Sequence, residues 1–106
     1  MTTFVTRNAE ETRLAGEQFA AQLRPSDVIG LFGNLGAGKT TFVQGVCRAF
    51  GISAHVSSPT FTLINEYHAS FGLIVHADLY RITEAGQLRE LGLEEYFVGG
   101  NICLIE

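Results

Sequence analysis

The stretch "DVIGLFGNLGAGKT", Asp27 to Thr40, decides how the rest of the chain is read. Its first six residues make a short apolar run of strand length, and a glycine-rich turn follows at once. "GNLGAGKT", Gly33 to Thr40, fits the spacing G-x-x-x-x-G-K-[ST]. Glycines let such a loop turn tightly and bring backbone N–H groups against phosphate oxygens. "TTFVQGVCRAFG" then reads as a helix whose N-terminus, with its partial positive charge, points at the same anion. In this pattern Lys39 reaches the β and γ phosphates, and the Thr40 hydroxyl coordinates Mg²⁺. Lys39 is also the sole lysine of the chain; every other basic side chain is arginine.

Outward from the loop, the elements alternate. Upstream, "RNAEETRLAGEQFAAQLRP" predicts an amphipathic helix, capped by Asn8 with Glu11 at the capping-box position. Ala15, Phe19 and Leu23 recur on one face, and Pro25 marks the exit. On the helix after the loop, Phe42, Val46, Ala49 and Phe50 share a side, and Gly51 closes it. "TFTLINEY" and "FGLIVHADLY" predict two strands joined as a hairpin through "HASFG". "TEAGQLRELG" suggests a short helix capped by Thr83 and closed by Gly92, and "LEEYF" a further turn. After the break at "VGGN", "ICLIE" is a last strand. The order β, α, β, β, α, β predicts an α/β fold with a mixed sheet.

The chain has 106 residues, 46% hydrophobic and 17% charged, which fits one domain with a modest core. No apolar run approaches the ~20 residues of a membrane span, and the start lacks the pattern of a secretory signal. A cytoplasmic setting is the expectation. Net charge is −4, and the basic residues are scattered, so tight direct binding of nucleic acid is not expected. Cys47 and Cys103 lie far apart with no metal spacing and read as two buried free thiols.

A phosphate loop alone does not say what becomes of the nucleotide. Hydrolysis or transfer needs a further acid near Mg²⁺ and a group that orients the nucleophile. Asp78 follows "LIVHA" and Glu106 follows "ICLI". Each is an acid at the C-terminal end of an apolar strand, where ligands of α/β sheets gather. His76 lies on the same strand face as Asp78, but packing or a local hydrogen bond is the expected role. His55 and His68 fall in expected loops. Tyr67, Tyr80, Phe61 and Phe97 read as core, and Glu90, Glu94 and Glu95 as a solvated face. For Arg81, pairing with phosphate and pairing with Asp78 stay open.

"GNLGAGKTTF", "SSPTFTL", "HADLYR", "LGLEEYF" and "ICLIE" occur in the order and spacing of the bacterial TsaE (YjeE) ATPases, which the chain resembles over nearly its whole length. The resemblance implies a small P-loop NTPase-like fold, a mixed sheet flanked by helices, that binds ADP or ATP with Mg²⁺ and hydrolyses ATP weakly. It implies a role beside the TsaB–TsaD pair, which makes threonylcarbamoyladenosine in tRNA, with tRNA met only indirectly. By position, Gly33, Asn34, Leu35, Gly36, Ala37, Gly38, Lys39, Thr40 and Thr41 would form the nucleotide loop. Thr40 and Glu106 would be the Mg²⁺ ligands, and Asp78 the acid near the γ phosphate. Ser58, Pro59 and Thr60 would belong to a switch-like segment, and Thr12 would approach the nucleotide.

Two departures stand out. Many members have Asp where this chain has Asn34, in the variable part of the loop. In the family the acid of "LIE" is followed by Trp and more sheet, whereas this sequence holds no Trp and stops at Glu106. The resemblance therefore implies a chain missing its C-terminal part, with Glu106 at a terminus of the kind that frays. Two other functions fit the same loop. One is a nucleotide-dependent binding module without turnover. The other is a small-molecule kinase, which the lack of an Arg-rich cluster disfavours.

Overall fold

The computed structural model describes residues 5–32, 36–53, 56, 64–79 and 85–106. Expectations for Gly33, Asn34, Leu35, His55, Ser58, Pro59, Thr60, Phe61, Tyr80, Arg81 and Thr83 lie outside the described residues. The elements run α1 (Ala9–Ala20), β1 (Val28–Gly30), α2 (Gly36–Ala49), β2 (Ile64–Ala69), β3 (Gly72–Ala77), α3 (Ala85–Glu90), α4 (Leu93–Tyr96) and β4 (Ile102–Ile105).

The four strands form one sheet in the order β1-β4-β3-β2. β4 is parallel to both β1 and β3, while β2 and β3 make the expected antiparallel hairpin. The predicted mixed sheet is therefore the observed one. Its three parallel strands end on the same edge, so whatever follows β1, β3 and β4 is gathered there.

Strand alternation sorts the side chains onto two faces. Ile74, Tyr67, Ile102 and Leu104 pack beneath α1 and α2 with Ala20, Val43, Val46 and Cys47. Val75, Ala77 and Cys103 pack on the other face with Leu93 of α4, joined by Tyr96 and Phe97. Residues 74, 75, 102, 103 and 104 are wholly buried. Both thiols are free and buried, as expected.

α1 starts at the predicted cap, Asn8, but Glu11 meets the Asn8 side chain where a full capping box would use the Asn8 backbone N–H. The Asn8 side chain accepts from the Glu11 N–H at 2.9 Å, and its own amide donates to the Glu11 carboxylate at 3.0 Å. The helix stops at Ala20, before Pro25, and Leu23 packs from the following turn instead. Phe19 meets Phe42 of α2, ring centroids 5.7 Å apart.

Three local expectations are corrected. Ala49 is exposed, and the buried stripe of α2 runs through Val43, Val46 and Cys47. That stripe is set by where α2 meets both α1 and the sheet, which a single-helix pattern does not show. His68 sits within β2 and not in a loop; its hairpin turn is only Ser70 and Phe71. Glu106, expected at a fraying end, is paired in the sheet. Its N–H donates to the Ala77 carbonyl at 2.8 Å, and its own carbonyl accepts from the Leu79 N–H at 3.1 Å. Both ends of its peptide are thereby tied to the β3 exit.

Candidate functional site

The site assembles at the edge where the parallel strands end. Leu31, just past β1, donates its N–H to the Ile105 carbonyl at 2.7 Å. The path into the phosphate loop thus runs beside the end of β4. Gly36 to Thr41 form the first turns of α2, and no acidic side chain stands in the opening turn to compete with an incoming anion. A Cβ on Gly38 would find no atom of the described residues within 4 Å. Among the described residues Lys39 has no ion-pair partner.

Thr40 is the informative residue of this turn. Its Oγ1 is buried and has no hydrogen-bond partner among the described residues. Buried hydroxyls are normally satisfied, so an orphan of this kind marks a place where a group from outside fits. Thr40 is also the loop position whose hydroxyl coordinates Mg²⁺ in the sequence pattern.

Glu106 follows β4 on the face that carries α2. Leu104 packs in the α1/α2 cluster and Ile105 in the opposite one, so the next side chain returns to the α2 side. Its carboxylate is nearly closed to solvent, with 3% of the side chain exposed, and bonds to Nε2 of His76. Asp78 immediately follows β3, at the register step opposite Glu106, and is half-buried. The two acids expected from the sequence are thus brought together across adjacent parallel strands.

Thr12 lies in the second turn of α1. Its hydroxyl bonds to Thr6 Oγ1 at 2.6 Å and donates to the Asn8 carbonyl at 3.1 Å. Tyr67 and Phe97 pack in the core clusters, and Glu90, Glu94 and Glu95 are exposed, as expected. The residue that sequence reasoning undervalued is His76. It is wholly buried and touches Glu106. The H-x-D spacing of "HAD" was visible, but the partner 30 residues away depends on the β3–β4 register.

Could a divalent cation with nucleotide fit here? Mg²⁺ is usually held by one or two protein oxygens together with substrate phosphates. An unpartnered Thr40 hydroxyl and a buried carboxylate on the same face of the sheet supply that hard-oxygen donor set. Among the described residues no three His, Cys, Asp or Glu side chains gather as a metal cage. The residues present fit a phosphate-bound cation.

Strand, glycine loop, helix and a buried acid on the neighbouring parallel strand place this chain in the P-loop NTPase-like class of α/β folds. The family model "Threonylcarbamoyl adenosine biosynthesis protein TsaE" matches residues 6–106, and the chain belongs to the TsaE family. The TsaE protein of Bacillus subtilis is 46% identical over 101 residues, which cover 95% of this chain and 63% of that protein. The TsaE protein of Rickettsia felis is 41% identical over 103 residues, covering 96% and 60%. The crystal structure of Bacillus subtilis YdiB superposes with a TM-score of 0.75 at 41% identity, covering 95% of this chain and 60% of that one. The chain spans about three fifths of the length of these relatives.

Proposed function

We propose that this chain is a cytoplasmic, Mg²⁺-dependent ATP-binding component with weak ATPase activity. In this reading it supports repeated turnover of the TsaB–TsaD complex in tRNA threonylcarbamoyladenosine modification. Its relatives are named for threonylcarbamoyladenosine biosynthesis, which supports the pathway. The observation that carries the nucleotide reading is the orphaned, buried Oγ1 of Thr40 on the helix that follows the glycine loop.

In this reading, the first N–H groups of α2 and the Lys39 ammonium hold the β and γ phosphates. The Thr40 hydroxyl and the Glu106 carboxylate hold the cation. Mg²⁺, when bound, neutralises charge on the phosphate oxygens. Asp78, beside Glu106, orients the attacking water. The backbone ties from Glu106 to Ala77 and Leu79 keep the two acids in register, which favours positioned water over a mobile terminus.

The test is ATP turnover by this chain with Mg²⁺, with and without the TsaB–TsaD pair. Lys39→Ala is the control. Lys39-dependent release of phosphate that responds to the pair supports the proposal. Intact nucleotide binding with no hydrolysis would assign the chain a binding role instead. Phosphate transferred to a small acceptor would make it a kinase.

A further inference from the structure

His76 is wholly buried on the α2 face of the sheet, between Ile74 earlier on its own strand and Leu104 across from it. Ile74 and Leu104 are aliphatic, while Asn65 stands opposite on β2 and Asp78 follows on the same face. For packing alone, an aliphatic side chain would serve at position 76. Histidine brings a difficulty that such a residue would not: its Nδ1 is buried and has no partner among the described residues. What it gains is a bond from Nε2 to Oε2 of Glu106. That bond is what the histidine adds beyond packing.

The tautomer follows from the same contacts. A proton on Nδ1 would leave a buried N–H donor unpaired and set the Nε2 lone pair against a carboxylate oxygen. A proton on Nε2 makes the one bond available and leaves only a bare acceptor behind. The imidazole is therefore the donor and Glu106 Oε2 the acceptor.

Backbone hydrogen bonds fix the Glu106 peptide against Ala77 and Leu79. They leave the side-chain torsions free, and an unrestrained carboxylate loses that freedom each time it binds a cation. Among the described residues no other side chain bonds this carboxylate. We propose that His76 is the positioning residue for Glu106: its Nε2–H holds one carboxylate oxygen and leaves the other for the cation that accompanies the nucleotide. This rests on the reading of Glu106 as a cation ligand given above. Hydrogen bonds of this kind behind a ligand set its orientation and its affinity for the ion.

The test uses the full chain loaded with ADP, with Mn²⁺ as the probe and free Mn²⁺ read by electron paramagnetic resonance. His76→Leu keeps bulk and removes the donor; His76→Gln returns an N–H at similar reach. Removing the donor is expected to weaken Mn²⁺ binding about 10- to 100-fold, with recovery to within about threefold in His76→Gln. ADP affinity measured in EDTA stays unchanged in both. A folded His76→Leu that binds Mn²⁺ like the wild type overturns the proposal, as does a His76→Gln as weak as His76→Leu. Should His76→Leu fail to fold, ¹⁵N NMR of the wild type decides. The Nε2–H tautomer, with ring shifts that move when Mg²⁺ joins bound ADP, supports the role; an Nδ1–H tautomer or unmoved shifts overturn it. A wild type that binds ADP no better than Lys39→Ala overturns the nucleotide reading and the positioning role together. Lys39-dependent binding that is indifferent to His76 overturns the positioning role alone.

Discussion

The N–H of Leu31 donates to the carbonyl of Ile105 at 2.7 Å, joining the strand that enters the glycine loop to the strand that ends in Glu106. This one bond extends the β1–β4 ladder beyond Gly30 and Ile105, up to the edge where the site lies. Thr40 and Glu106 are 66 positions apart, and the insertion of β4 between β1 and β3 sets the end of β4 beside the end of β1.

The buried, unpartnered hydroxyl of Thr40 leads to an unusual pair of outcomes. Thr40→Val keeps the shape and removes a group the fold leaves unsatisfied. Its stability to urea should match the wild type or exceed it by up to about 1 kcal/mol. Its affinity for ATP with Mg²⁺ should nevertheless fall by about tenfold or more, the size of a lost bond to a charged group. A clearly destabilised Thr40→Val would mean that the hydroxyl serves the fold.

α1 can approach α2 so closely only because two glycines meet at the crossing. A Cβ on Gly16 would lie 2.2 Å from the Phe42 carbonyl oxygen, and one on Gly45 would lie 1.9 Å from that of Arg13. Both obstacles are backbone and cannot swing aside. Alanine would gain up to about 1 kcal/mol of helix propensity, but the clash forces the helices apart. Gly16→Ala and Gly45→Ala should each destabilise by about 1–3 kcal/mol or more in urea unfolding.

Burial pushes the Cys47 thiol up to about 12. The sign follows from which state holds the proton more tightly. The folded state does, because an unburied thiol titrates near 9.0. The stabilisation from this thiol is complete below about pH 9 and is lost as pH rises toward 12. Cys47→Ala should therefore show a flatter decline of stability between about pH 9 and 12 in unfolding titrations. In the native wild type, a thiol reagent at about pH 8 should react with neither cysteine until the chain opens, since both are wholly buried.

Much of the fold was legible because its signals are local. The Asn8–Glu11 cap, the strand–loop–helix around Lys39 and the β2–β3 hairpin each declare themselves within a few residues. The candidate site was legible in part. Spacing marked Thr40, and an acid after an apolar run marked Asp78 and Glu106. The rest depended on pairing across distance. Nothing local shows that β4 lies between β1 and β3, that its register sets Glu106 beside His76, or that Gly16 and Gly45 share a crossing. Ala49 was misplaced for the same reason: a helical face can be counted, but its partner cannot.

The central claim is that the Thr40 turn and Glu106 together take up a nucleotide-bound cation. The most direct measurement is the affinity for ATP by calorimetry, with and without Mg²⁺, in the wild type, Glu106→Gln and Lys39→Ala. Mg²⁺ should tighten binding in the wild type, and that gain should disappear in Glu106→Gln while metal-free binding persists. Lys39→Ala should lose about 30-fold or more under both conditions, as expected for removing one partner of a hydrogen-bonded charge pair. A Glu106→Gln chain that keeps the full gain from Mg²⁺ would contradict the account.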